Sequence, residues 1–426
     1  HRDLHSFPTR RSSDLYYENM RSFSFFILIV LSSMSLLNSC KSEDNSRKDV
    51  NQYYLASQVK FDLTVDEIKT NLNTVVPNLS ILLSSIIHSD VEVQKVVYKT
   101  TFNNVSIKAS GLACFPKTPG NYPILSFQNG TNTLFKDAPS ENPTGDNISL
   151  IESLATSGFI VVIPDYIGFG ESSSSPHPYL DAKSSTQSIL DLIRATKELS
   201  KDDNIVAKPT KDLFIFGYSQ GGWATLELQK TVEKEHSAEF NLIASSCGAG
   251  PYSIEYMTNY VLNQDVYPMP YFLAYLLNSY NKTGLISNPL SDFFQAPYAA
   301  KIPGLFDGLH TSSEINAQLT KQVSSLLTPE FKTAYLTNSK FAGFRSAINL
   351  NSIQPWSIST PTKLFHGSAD VYIPLGASQK MLADFQTKDT ANSSKIELVV
   401  VPLADHSSAV PLVVLKTVNW FLELKR

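Results

Sequence analysis

Between Val91 and Phe115 apolar and polar residues alternate. The two runs Val91 to Phe102 and Val105 to Phe115 are rich in Val, Tyr, Thr and Ile and are separated by Asn103-Asn104. Period-two alternation interrupted by a turn signal predicts a β-hairpin. Farther along, short continuous apolar runs are separated by stretches with helical spacing. Pro123 to Phe127, Phe159 to Ile163, Asp212 to Gly217, Leu242 to Cys247, Thr362 to His366 and Ile396 to Val401 read as strands. Ile148 to Ser157, Ser184 to Ser200, Trp223 to Lys234, Gly376 to Phe385 and Ser408 to Leu424 read as helices. Apolar strands alternating with amphipathic helices predict an α/β fold, a mostly parallel sheet with helices on both faces.

From Pro251 to about Pro355 this rhythm disappears into a segment dense in Tyr, Phe, Leu, Asn and Pro. The sequence therefore predicts a sheet core from 91–250 and 356–426, with a mainly helical cap inserted over 251–355. Ahead of the core, Phe61 to His88 carries helix-like apolar spacing interrupted at Pro77, which predicts a helical N-terminal extension over 53–90.

The amino end has a different pattern. Met20 is followed by Arg21 and the apolar run Phe23 to Leu37, then by Leu37-Asn38-Ser39-Cys40. At about fifteen residues the run is shorter than the ~20 a spanning helix needs, and it reads as a signal peptide over 20–39. Leu37-Asn38-Ser39-Cys40 resembles a bacterial lipobox, which would place a diacylglycerol on Cys40 and hold the protein to the outer membrane. An ordinary cysteine just past a secretion signal is the plainer alternative. Residues 40–52 are polar and charged, as suits a tether. Lys41-Ser42-Glu43-Asp44 resembles a surface-export tag but equally fits a solvated linker, so the periplasmic face and the cell surface both stay open. Residues 1–19 precede Met20, and His1 to Leu15 resembles a translated sequencing adapter.

Composition narrows the partners. With 42% hydrophobic and 17% charged residues the chain can bury a full core, and a formal net charge of -4 without long charged runs speaks against a nucleic-acid partner. Cys114 and Cys247 each sit in an apolar strand-like run, which favours buried free thiols over a disulfide. No Cys/His cluster has metal-ligand spacing, and no cofactor is called for.

Candidate chemistry centres on Gly217-Tyr218-Ser219-Gln220-Gly221, which follows a predicted strand and opens a predicted helix. A Ser on so sharp a turn is lifted clear of the sheet beside a helix N-terminus, and flanking glycines avoid collisions with neighbouring elements. A hydroxyl needs a base near neutral pKa, hence a His. His88, His177, His236 and His310 precede the last sheet elements, whereas His406 lies in the loop between the last strand and the closing helix. The acid that orients an imidazole should come from another strand end. Asp370, in the turn after Leu364-Phe365-His366-Gly367, fits that place; Asp405, next to His406, is a rival. The order Ser219, Asp370, His406 is that of the α/β-hydrolases.

From Val91 onward the chain resembles an α/β-hydrolase similar to bacterial relatives of the fungal secretory lipases. Pro164-Asp165-Tyr166-Ile167-Gly168-Phe169-Gly170 and His177-Pro178-Tyr179 resemble segments of that family and are expected to shape loops beside the site. The N–H of Gln220 is one expected oxyanion donor. The second is expected in Gln128-Asn129-Gly130-Thr131, where the resemblance implies His-Gly-Thr and Asn129 replaces the His; Thr131 is favoured and Gly130 is the other candidate. Tyr252, Tyr256, Tyr260, Tyr267, Tyr271, Phe272 and Tyr275 could roof a pocket or simply glue the cap down. These features predict a serine hydrolase cleaving a small or lipid-like carboxylic ester. A peptidase or amidase on the same triad and a non-catalytic binding protein are the alternatives.

Overall fold

A computed structural model of the protein describes residues 51–75 and 86–425. The signal segment, Cys40 and most of the tether lie outside the described residues. The predicted hairpin forms from β2 (Val91–Phe102) and β3 (Val105–Pro116), paired antiparallel from Val91↔Pro116 to Phe102↔Val105. Asn103 and Asn104 both adopt positive φ, 49° and 63°, which side chains of this type tolerate best after glycine.

Next come β4 (Gly120–Gln128), β5 (Ile160–Pro164), β6 (Ala207–Tyr218), β7 (Asn241–Gly248), β8 (Thr362–Gly367) and β9 (Ile396–Val401). With β1 (Tyr54–Leu63) at one edge, the nine strands lie in the order β1-β2-β3-β5-β4-β6-β7-β8-β9. From β5 to β9 every pairing is parallel. All strands of this parallel set therefore end on one edge of the sheet, and the loops leaving that edge carry the residues singled out above. This is the expected α/β arrangement, with thirteen α-helices among the described residues.

Helices Ala182–Leu199, Gln220–Glu235 and Gly376–Lys388 bury Leu192, Trp223 and Phe385 against one face. Asp146–Glu152 and Val410–Leu424 bury Ile151 and Val413 against the other. Burying one such aliphatic side chain contributes roughly 1.5–3 kcal/mol, so the two faces supply the bulk of the fold's driving force.

One expectation requires correction. Residues 53–90 do not form a helical extension throughout: β1 (Tyr54–Leu63) is a strand at the sheet edge, and the helix in this region spans Val65–Val75 among the described residues. β1 runs antiparallel to β2 from Tyr54↔Tyr98 to Leu63↔Val91, with register shifts between Tyr54 and Ala56 and between Val59 and Phe61. Each irregularity moves the side-chain alternation by one residue, which hides the period-two pattern from a reading of the sequence. Glu198 fixes the start of the strand, its carboxylate accepting the N–H groups of Gln52, Tyr53 and Tyr54 at 2.9, 2.9 and 2.7 Å.

The insertion between β7 and β8 is helical, as expected, and has its own aromatic nucleus. Phe293, Phe331, Phe341 and Phe344 pack with ring centroids 4.9 to 5.6 Å apart. Trp223 ties the core to the end of the cap, donating from Nε1 to Asn351 O at 2.9 Å. Among the described residues no helix is long and apolar enough to cross a membrane.

Candidate active site

β6 runs in the middle of the sheet and ends at Tyr218, and the helix Gln220–Glu235 begins two residues later. Ser219, between them, has φ 60° and ψ -123°, a conformation that costs a non-glycine residue about 1–3 kcal/mol. The glycines make the turn possible. A Cβ on Gly221 would overlap the carbonyl oxygen of Gln128, one on Gly217 would strike Gly221 O, and one on Gly222 would strike Gly248 O. The elbow helix therefore sits directly on the ends of β4 and β7. Ser219 N donates to Gly248 O at 2.8 Å, which holds the turn to β7.

His406 arrives from the loop between β9 and the closing helix Val410–Leu424. Its Nε2 lies 3.0 Å from Ser219 Oγ and its Nδ1 lies 2.6 Å from Asp370 Oδ2. Tyr218 OH donates to His406 O at 2.8 Å, so the residue preceding Ser219 also anchors the loop that bears the imidazole.

Asp370 is 6% exposed and surrounded by donors. Tyr372 N and Ile373 N reach Oδ1 at 2.9 and 3.0 Å. Beneath it lies His366, fully buried, its Nε2 2.8 Å from Ile373 O and 3.4 Å from Asp370 Oδ2. Ile373 O can only accept, so His366 Nε2 carries a proton; its Nδ1 lies 2.7 Å from Ser378 Oγ. Burial alone would push the Asp370 carboxyl up. The hydrogen bonds from His366 and His406, the His406 charge and the Ile373 N–H outweigh it and hold the group well below the ordinary carboxylate range. An ionised Asp370 accepts from His406 Nδ1–H; in the neutral ring Nε2 is then the bare nitrogen, and it faces the Ser219 hydroxyl.

The rival acid faces elsewhere. Asp405 Oδ1 accepts Ser407 N, Ser408 N and Ser408 Oγ at 3.0, 2.8 and 2.8 Å, holding the turn before the closing helix. Asp165 is buried and accepts from Ser110 Oγ, Ser140 N and Ser140 Oγ at 2.5, 2.7 and 2.6 Å, joining two loops to β3. His310 pairs with Asp307 at 2.9 Å on the surface. Cys114 and Cys247 are free and buried, and burial pushes the Cys247 thiol up to about 12, far from a working nucleophile.

The loop after β4 lies against the elbow. A Cβ on Gly130 would sit 3.7 Å from Tyr218 O and 3.8 Å from Ser219 Cβ. Thr131 Oγ1 is 2.9 Å from Tyr179 OH, at the edge of the pocket over Ser219. Gln128 locks this loop to the elbow helix, its Oε1 accepting from Thr225 Oγ1 at 2.7 Å. Opposite, Gln220 opens the helix, and a first-turn N–H has no acceptor within its own helix.

Above Ser219 and Gln220 opens a pocket walled by Ile254, Met257 and Val261 from one cap helix and Phe272, Leu273 and Leu276 from the next. Of the seven aromatic residues that could roof a pocket or glue the cap down, Tyr267 and Phe272 line it. Tyr252 instead donates to Cys247 O at 2.8 Å, and Tyr275 stacks on Tyr179 at 4.6 Å. His366, at the end of β8 four residues before Asp370, also belongs to the site, and its position in the sequence does not distinguish it from a core residue.

The chain matches the secretory lipase family over residues 140–423. In three dimensions it is similar to a candidate hydrolase from Legionella pneumophila, at 24% identity and a TM-score of 0.76, covering 88% of this chain and 99% of that one. It is also similar to the rice cell wall degrading esterase LipA from Xanthomonas oryzae, at 25% identity and a TM-score of 0.73, covering 88% and 97%. Candida antarctica lipase A in its closed state aligns at 17% identity and a TM-score of 0.62, covering 87% and 81%. No curated protein matches the chain by sequence.

Proposed function

The chain belongs to the secretory lipase family, whose members are hydrolases of the lipase and esterase type, and we propose that it is a serine carboxylesterase acting through an acyl-enzyme. The observation that carries this reading is the continuous path from Ser219 Oγ through the His406 ring to Asp370, at 3.0 and 2.6 Å, opening onto an apolar pocket. His406 Nε2 takes the Ser219 proton as Oγ bonds to the ester carbonyl carbon. The carbonyl oxygen gains the negative charge and turns to the Gln220 N–H and to the Gly130–Thr131 loop. Collapse of this intermediate breaks the bond to the alkoxy oxygen, which leaves with the proton held on Nε2. Water, deprotonated by the same nitrogen, then attacks the acyl carbon and frees Ser219 and the carboxylic acid. Asp370 keeps its partner nitrogen protonated throughout and stabilises the imidazolium.

The pocket favours an apolar acyl or aryl group, since the six cap side chains named above present hydrocarbon and aromatic carbon to Ser219. The family is a secretory one, which fits export, and the Cys40 segment supports attachment through a lipid. A fluorophosphonate probe should label the folded protein at Ser219, and Ser219→Ala should lose both the label and, by about ten-thousandfold or more, turnover of p-nitrophenyl butyrate. A probe that leaves Ser219 unmodified, or an alanine variant that still turns over, refutes the assignment. Faster cleavage of aminoacyl anilides than of esters would replace esterase with amidase. The same mass spectra test the anchor: a mature chain that begins unmodified beyond Cys40 excludes it.

A further inference from the structure

Four rings enclose His177. The centroids of Phe169, Tyr275, Tyr179 and Tyr166 lie 5.0, 5.6, 6.0 and 6.2 Å from that of its imidazole. Its backbone passes so close to Gly168, at φ 94°, that a Cβ there would lie 2.5 Å from His177 Cα. Its carbonyl accepts from Ser279 Oγ at 2.7 Å, and the same hydroxyl accepts from Tyr179 N at 2.8 Å, so a cap helix grips this residue from above. None of this follows from a need to fill space with an imidazole; a phenyl ring would serve as well.

The two ring nitrogens explain the choice. Nδ1 lies 2.7 Å from Ile167 O, which can only accept, so Nδ1 carries the proton. Burial pushes the ring down to about 4, so it is neutral near neutral pH and Nε2 is bare. The side-chain nitrogen of Gln220 lies 3.3 Å from that Nε2 and must be the donor. This also fixes which way the amide faces, because Gln220 Oε1 is buried without a hydrogen-bond partner among the described residues. The bond to His177 is therefore what orients the Gln220 side chain, and Gln220 is 2% exposed, directly follows Ser219 and forms part of the pocket.

We propose that His177 is a positioning residue for acyl transfer at Ser219. By accepting from the Gln220 carboxamide it holds the first residue of the elbow helix in one conformation, and with it the Gln220 N–H that faces the developing oxyanion. The inference rests on the esterase reading above. Physically, a donor to an oxyanion must be in place before charge develops, and displacement by a fraction of an ångström removes much of its effect while leaving ground-state binding nearly intact. The His177 contribution should thus appear in kcat and not in KM.

Three variants of the full chain separate positioning from bulk. His177→Gln can bring a carbonyl oxygen near the place of Nε2; His177→Asn reaches only the place of Nδ1; His177→Leu offers no acceptor. With p-nitrophenyl butyrate, kcat should fall roughly 10- to 100-fold in the Asn and Leu variants with KM within about threefold, while the Gln variant stays within about threefold of the parent in both. Rates of fluorophosphonate labelling should fall in parallel, because the phosphonyl oxygen occupies the same hole. If the Leu variant fails to fold, the Gln and Asn pair decides. Asn and Gln variants equal to each other in kcat, whether both fast or both slow, overturn the proposal; so does a loss in KM alone. A parent protein that neither labels nor turns over esters would sink the esterase reading itself, which is a different result from an active parent with indifferent variants.

Discussion

Asp370 and Glu152 are both carboxyl groups withdrawn from water, at 6% and 0% exposure, yet their surroundings differ completely. Asp370 receives two backbone N–H groups and faces two imidazoles, and it is held ionised. Glu152 closes the helix Asp146–Glu152 that leads towards β5, neither of its oxygens has a partner among the described residues, and burial pushes it up to about 8. A carboxylate can be buried where donors are supplied; where they are not, the group keeps its proton. The dense web of donors is found at the residue proposed to orient the base, and the bare one at a residue remote from any proposed chemistry.

The signs of the two shifts oppose each other. Asp370 titrates below its ordinary value in the folded protein, so the stability it contributes is complete above the usual carboxylate range and is lost as pH falls through the folded value. Glu152 titrates above its ordinary value, so between about 4.5 and about 8 the unfolded chain releases a proton that the folded chain retains. Its effect on stability therefore worsens as pH rises across that window.

Three substitutions test the contrast. The largest effect is expected from Asp370→Asn, which removes the charge and allows the wrong tautomer of His406: kcat for p-nitrophenyl butyrate should fall about a thousandfold or more with the fold intact. A loss smaller than tenfold would place the acid elsewhere. Glu152→Gln should raise the free energy of unfolding by about 4 kcal/mol at pH 8 and by close to nothing at pH 4, read from denaturant titrations at the two pH values. Equal effects at both would mean that Glu152 is not the uncompensated group described here. The smallest effect belongs to Asp405→Ala, which loosens the turn before the closing helix and should leave kcat within about twofold; a loss rivalling that of Asp370→Asn would make Asp405 the acid.

Much of this arrangement was readable because it is local. The hairpin showed through two runs rich in Val, Tyr, Thr and Ile on either side of Asn103-Asn104, and the elbow through Gly-x-Ser-x-Gly between a strand and a helix. Asp370 and His406 could be placed because each follows a strand whose apolar run is continuous. What escaped notice depends on distant partners. β1 was masked by its register shifts and by exposure on an edge, where few of its side chains must be apolar. The surroundings of His177 are assembled from residues 166 to 275, and no spacing along the chain encodes which of its nitrogens meets Gln220. His366 differs: it stood next to the acid in plain view, but a fully buried imidazole inside a strand looks like any core position until its neighbours are known.

The cap is inserted between β7, which ends at Gly248, and β8, which begins at Thr362. Ser219, the proposed nucleophile, is thus contributed from one side of that long excursion, and Asp370 and His406, proposed to assist it, from the other. Closing so large a loop carries an entropic cost, and the β7–β8 pairing joins residues far apart in sequence. Any process that delivers the chain amino end first, synthesis included, therefore leaves Ser219 without its proposed base His406 until the last two strands and the closing helix have docked. On the proposed mechanism, chemical silence before that docking follows from the order of the segments alone.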